Sequence, residues 1–168
     1  MPTRPLVMSA AVIAGSWLCG QGRGALRRRA LARIAAQIEH VGFALVVAYA
    51  AGTAVGFGYA FPCDAAYWFG AELIDQVPEA ARTERLMGLC ELAVRPPWQS
   101  QGIGSRLHAE LLKTIAPSWS SLLALPSNLR GQDLYARLGY EYAGPYRNTP
   151  DGPEFDLLLL RVGTRFDS

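Results

Sequence analysis

The sequence predicts a single α/β (α+β) domain over residues 1–168, a sheet with helices packed on it. Three observations carry this expectation. The chain has 168 residues, 51% of them hydrophobic, enough to fill one core of ordinary size. Short apolar runs bounded by glycine and proline alternate with segments of helical period. In the second half an apolar strand leads through a glycine-punctuated turn, at Gly102 and Gly104, straight into a helix.

The first element is a strand over Val7 to Ala14. The apolar stretch from Pro5 to Leu18 after Arg4 also has the outline of a short signal-peptide core ending near Cys19. It falls short of the roughly 18 residues that cross a membrane, and bulky Trp17 and Leu18 stand where cleavage favours small residues, so a strand is the expectation. Ala25 to Glu39 follows as a helix, with Leu31, Ile34, Ile38 and Val41 on one face. The helix's arginines, Arg27, Arg28, Arg29 and Arg33, lie largely on the other faces and form one basic run with Arg23 just before it. With a formal charge of +2 and no aromatic interleaving, they read as a solvated basic face, and no nucleic-acid partner is expected.

Phe43 to Ala50 and Thr53 to Phe61 read as a hairpin around Ala51-Gly52. The second strand is two-faced: Val55, Phe57, Tyr59 and Phe61 alternate with Ala54, Gly56, Gly58 and Ala60. The small face admits close packing of a helix or of a ligand, and packing is the expectation. From Pro62 to Arg85 the pattern weakens to a loop with a short helix. Its Tyr67-Trp68-Phe69 cluster either caps the core or, with Asp64, Glu72 and Asp75, walls a pocket for a cationic molecule.

Leu86 to Val94 is an apolar strand halted by Arg95-Pro96-Pro97, since proline cannot continue a ladder. The helix from about Gly104 to Ile115 then points its positive end at a turn whose glycines expose backbone N–H groups, an arrangement that suits an anion. The GK[ST] of a nucleotide P-loop and the GxGxxG of a dinucleotide site are both missing. Taken alone, the turn fits an anion cradle and a close-packed helix start equally well. Strands over Ser121 to Leu125, Tyr140 to Ala143 and Glu154 to Val162 complete the chain.

Cys19, Cys63 and Cys90 are odd in number and widely spaced, and His40 and His108 are the only histidines, so no metal site is expected. This cysteine usage suits a reducing, cytoplasmic compartment.

The pattern Val94-x-Pro96-x-x-Gln99-x-x-Gly102-Ile103-Gly104 resembles the signature motif of the GNAT superfamily, the GCN5-related N-acetyltransferases. Asn128 followed by Leu134-Tyr135-x-x-Leu138-Gly139-Tyr140 is similar to that family's second coenzyme-contacting helix, with Gly131 where alanine is usual. The resemblance is strong over residues 86–144 and topological before them. It implies a mixed sheet of about six to seven strands flanked by helices, with the central parallel strands splayed. It also implies an N-acetyltransferase that moves an acetyl group from acetyl-CoA to a primary amine in a ternary complex.

On this resemblance Leu92, Ala93 and Val94 offer backbone groups to the pantetheine arm. Gln99, Ser100, Gln101, Gly102, Ile103, Gly104 and Ser105 cradle the pyrophosphate, and Asn128 and Tyr135 lie near the pantetheine and sulfur. Tyr135 is then the acid for the leaving thiolate, or else a core tyrosine. Glu91 is the base that takes the amine's proton directly or through water, or else a buried carboxylate. Cys90, alternating to the face opposite Glu91, reads as packing. Relatives of this kind are commonly homodimers, and no residue pattern here speaks for or against pairing. A catalytically silent acyl-CoA-binding module is the alternative, and the acceptor amine is not legible.

Overall fold

A computed structural model describes residues 6–12, 35–147 and 149–163. Its strands are β1 (Leu6–Val12), β2 (Ala44–Ala50), β3 (Thr53–Cys63), β4 (Leu86–Val94), β5 (Trp119–Ala124), β6 (Glu141–Arg147) and β7 (Glu154–Arg161). Its helices are α1 (Ala65–Leu73), α2 (Glu79–Thr83), α3 (Ile103–Ile115) and α4 (Leu129–Leu138). The strands form one sheet in the order β1-β2-β3-β4-β5-β7-β6, antiparallel throughout except between β4 and β5. The expected mixed sheet flanked by helices is therefore present. Of the predicted helix Ala25–Glu39, residues 35–37 are helical and 38–39 form a turn, while residues 25–34, like Cys19 and all five arginines, lie outside the described residues.

The hairpin turn lies at Ala51 and Gly52, both with positive φ (48° and 78°), the backbone of a two-residue turn matched to strand twist. On β3 the small face serves helix packing. A Cβ at Gly58 would stand 2.8 Å from Leu92 Cδ1 and 3.2 Å from Leu111 Cδ1, and one at Gly56 would stand 3.3 Å from Leu107 Cδ1. Leu107 and Leu111 of α3 are fully buried against Val46, Ala48 and Met87. Each contributes on the order of 2 kcal/mol by leaving water, which anchors the helix whose N-terminus builds the site.

Between β3 and β4 the chain departs from the expected loop with one short helix. β3 runs on to Cys63, and α1 and α2 follow, separated by a single 3-10 turn at Ile74–Gln76. Phe69, Leu73, Val77 and Ala81 build a second core with Leu86, Trp119, Leu157 and Leu159. The aromatic cluster divides accordingly: Phe69 is core, Tyr67 is exposed and hydrogen-bonded to His40 Nε2 at 3.2 Å, and the Trp68 ring covers Gly88. Asp75 pairs with Arg82 at 3.6 Å instead of facing a pocket.

Two irregularities of β4 shape the site. Its parallel pairing with β5 lasts three residues, Leu86↔Trp119, Met87↔Ser120 and Gly88↔Ser121, after which the strands diverge while β4 stays on β3 as far as Val94. The expected splay is this divergence. At the same level Ala60 pairs with Leu89 and Tyr59 with Glu91, so Cys90 is an extra, bulged residue that bends the strand. Among the described residues no helix is long and apolar enough to cross a membrane, and no group of three or more His, Cys, Asp or Glu side chains is placed to hold a metal.

Candidate functional site

The splay, the turn after β4 and α4 enclose a cleft of about 510 Å³, within the range of small-molecule sites. Of the residues singled out from the sequence, Leu92, Ala93, Val94, Gln99, Ser100, Gly102, Ile103, Gly104, Ser105, Asn128 and Tyr135 line it. Gln101 does not; it is exposed and donates through Nε2 to the Pro97 carbonyl at 3.1 Å. Glu91 also lies off the cleft lining. A larger hollow of about 650 Å³ lies at the other end of β4, beside Leu86 and His40; Asp64 and Tyr67, two of the residues expected to wall a pocket, line it, and it shares no residue with the first cleft.

The floor is the start of α3. Ser100 and Gly102 both have positive φ (59° and 78°), which turns the chain so that the first helical amides face outward. No side chain caps α3, and its first turn carries no acidic residue, so the N–H groups of that turn and the helix dipole are open to an anion. A Cβ at Gly102 would meet nothing within 4 Å and would project into open space. Gly104 works differently: a Cβ there would stand 3.1 Å from Leu134 Cδ2, so its smallness lets α3 approach α4.

One wall is the end of β4. Arg95 N–H donates to the Val55 carbonyl at 2.8 Å. Bonded pairs alternate along an antiparallel ladder, so Ala93 turns its backbone groups to β3, and Leu92 and Val94 turn theirs into the opening. The Val94 carbonyl accepts from Gln99 Nε2 at 2.9 Å, and Gln99 Oε1 in turn accepts from the Arg130 guanidinium. Gln99 thus ties β4 to α4 across one end of the cleft.

The other wall is α4. Asn128 is its N-cap, accepting from the Gly131 N–H at 3.1 Å. A Cβ at Gly131 would lie 2.5 Å from Asn128 Nδ2, so a side chain there would have to move the end of the Asn128 amide. Leu134 of the second motif lines the cleft as well, and so do Trp98, Arg130, Asp133 and Arg137, which were not singled out from the sequence. The signal for those on α4 was available: 130, 134 and 137 are three and four residues apart and share a helix face.

Glu91 is exposed, which removes the buried-carboxylate reading. It pairs directly with Tyr59 and so shares its face of the sheet. The bulge also breaks the alternation expected at Cys90. That thiol packs beside Tyr59 and Phe61, on the same side as Glu91, and burial pushes it up to about 12. Tyr135 is half-buried, and its phenol is held above its usual range by burial first and by the Glu91 carboxylate second.

Behind Tyr135 stands a buried polar group that the sequence did not disclose. The Tyr140 hydroxyl is hydrogen-bonded to His108 Nε2 at 2.8 Å and to the Ser120 hydroxyl at 2.6 Å. Burial lowers His108 to about 4, so its imidazole is neutral at pH 7, and burial raises the Tyr140 phenol.

The family model described as acetyltransferase (GNAT) domain matches residues 41–142, more than half of the chain. Among solved structures, a GNAT family acetyltransferase from Elizabethkingia anophelis with acetyl-CoA bound superposes with a TM-score of 0.61 at 14% identity, covering 94% of this chain and 98% of that one. Arabidopsis thaliana NAA60 in complex with a bisubstrate analogue gives 0.57 at 16% identity, covering 75% and 80%. The PaiA N-acetyltransferase from Thermoplasma acidophilum in complex with coenzyme A gives 0.52 at 17% identity, covering 80% and 68%. No curated protein matches the chain in sequence.

Proposed function

The chain belongs to the GNAT acetyltransferase family, and from that premise we propose that it transfers an acetyl group from acetyl-CoA to a primary amine by direct attack, with both molecules bound. The observation that carries the reading is the uncapped first turn of α3 on the floor of a cleft that the end of β4 and Tyr135 also line. Those amides suit a diphosphate. The outward-turned backbone groups of Leu92 and Val94 suit the amides of the pantetheine arm, and Arg130 and Arg137 add positive charge beside the phosphates. Bound there, acetyl-CoA supplies an activated carbonyl carbon and a thiolate leaving group.

The chain's own residues then manage two protons. An alkyl amine with a pKa near 10.4 is protonated at pH 7, and freeing it costs about 4–5 kcal/mol. Glu91, exposed beside the opening, takes that proton directly or through a water. Backbone N–H groups of the diverging end of β4 face the carbonyl oxygen as negative charge builds on it. As the C–N bond forms and the C–S bond breaks, Tyr135 donates to the sulfur. Its raised pKa keeps it protonated, and full transfer to a thiolate of ordinary pKa near 8.5 is uphill by at least ~2 kcal/mol. Tyr135 therefore acts first as a hydrogen-bond donor to the developing charge, and solvent restores its proton after transfer.

The test is thiol release from acetyl-CoA with a panel of n-butylamine, free lysine and a short peptide with a free N-terminus. Wild-type protein turns over at least one amine, Tyr135→Phe lowers kcat by about tenfold or more, and Gly102→Glu abolishes turnover. Unchanged rates in both variants would sink the mechanism. Saturable binding of acetyl-CoA with no thiol release for any amine would make the chain a silent acyl-CoA-binding module.

A further inference from the structure

We propose that Tyr140 is a positioning residue for acetyl transfer, holding Tyr135 at the cleft through its buried hydrogen bonds to His108 and Ser120. The inference rests on the reading above in which Tyr135 meets the coenzyme sulfur. Tyr140 touches Tyr135 twice. Just past Gly139, whose φ of 94° ends α4, the Tyr140 N–H donates to the Tyr135 carbonyl at 3.0 Å. Its ring meets the Tyr135 ring edge-on, with centroids 5.7 Å apart at 71°.

The far end of the same ring is pinned from two directions. His108 comes from α3 and Ser120 from β5, and both are almost wholly buried. Ser120 pairs with Met87, one residue before the last β4–β5 pair, so the pin stands at the vertex of the opening. Packing alone does not call for it. Phe, Leu and Ala at 140, 108 and 120 would fill comparable space without desolvating three polar groups, a cost recovered only if every partner is satisfied. What the hydroxyl adds is a fixed location. A ring held by packing slides along its own axis, whereas one bonded between a helix and a strand does not. Misplacement of a reacting group by about 1 Å costs on the order of a hundredfold in rate, so a smaller loosening is expected to cost about tenfold.

The experiment measures kcat and the KM for acetyl-CoA by thiol release, using the panel amine with the highest turnover; turnover of none overturns the reading above and this inference with it. The variants are Tyr140→Phe, Tyr135→Phe, the double variant and Ser120→Ala, each assayed well below its melting temperature. The expected result is a kcat about tenfold lower for Tyr140→Phe at a KM within twofold of wild type. The double variant should be no slower than Tyr135→Phe alone, because the Tyr140 hydroxyl acts through Tyr135. Ser120→Ala, which leaves the bond to His108, should lose about threefold in kcat, and it carries the test if Tyr140→Phe does not fold. Full kcat in the Tyr140 and Ser120 variants beside an impaired Tyr135→Phe overturns the inference and leaves the Tyr135 reading standing. Additive losses in the double variant also overturn it, since Tyr140 would then act independently. Full activity in Tyr135→Phe overturns the Tyr135 reading and this inference with it.

Discussion

Acid should destabilise this fold through His108 before its carboxylates titrate. The imidazole is 3% exposed, with Nε2 on the Tyr140 hydroxyl, and no carboxylate is among its hydrogen-bond partners. Burial lowers its pKa from 6.5 to about 4. Protonating it is therefore about 3 kcal/mol harder in the folded chain than in the unfolded one. The unfolded state binds the proton first, so the contribution is complete above pH 6.5, declines as the pH falls toward 4 and is lost below that. Between pH 6.5 and 4.5 the decline should amount to about 2–3 kcal/mol, a large fraction of the 5–15 kcal/mol typical of a domain. Urea unfolding at half-unit pH steps measures it, with His108→Gln as the comparison because it removes the titration while keeping a polar partner for Tyr140. A flat profile over that window, or the same slope in His108→Gln, would refute the assignment of a buried neutral imidazole.

Other consequences are local. Gly88→Ala places a Cβ 2.3 Å from the Trp68 ring and should cost about 1–3 kcal/mol of stability; Trp68→Leu in the same chain should recover most of it, and denaturant midpoints that are additive for the two changes would contradict the contact. Gly131→Ala should displace the Asn128 cap and cost about 1 kcal/mol, read as a lower urea midpoint at unchanged slope. Arg130→Ala should weaken acetyl-CoA binding about fivefold, the effect of an exposed charge worth about 1 kcal/mol, with a smaller difference at high salt; equal affinities in calorimetry would remove Arg130 from the phosphate side of the cleft.

Much of this architecture was legible because local rules and the fold agreed. β4 was readable from its apolar run and the prolines that stop it, the hairpin from Gly52, and the α3 start from Gly102. The α1–α2 segment was not, since Ala65, Phe69 and Leu73 make too short a periodic run and Gly70, at φ 66°, interrupts it. At the site, the glycine turn marked the floor of the cleft and the α4 motif one of its walls. Alternation along β4 misled at Cys90, because a bulge has no composition of its own and one extra residue reverses every expected face beyond it. The His108, Ser120 and Tyr140 network was hidden for another reason: its members lie 12 and 20 residues apart, on α3, on β5 and just before β6, and only the fold brings them together.

The central claim is that the α3 start is a coenzyme A cradle, and calorimetric titration of acetyl-CoA into wild-type protein and Gly102→Glu tests it most directly. A side chain at 102 enters open space that no protein atom occupies within 4 Å, so it should leave the fold assembled, with a backbone cost of about 1 kcal/mol at positive φ, while placing a carboxylate where the diphosphate belongs. Wild-type protein should bind with an affinity on the order of 1 μM to 1 mM, and folded Gly102→Glu should bind at least a hundredfold more weakly. Equal binding by both proteins, or no binding by the wild type, would contradict it.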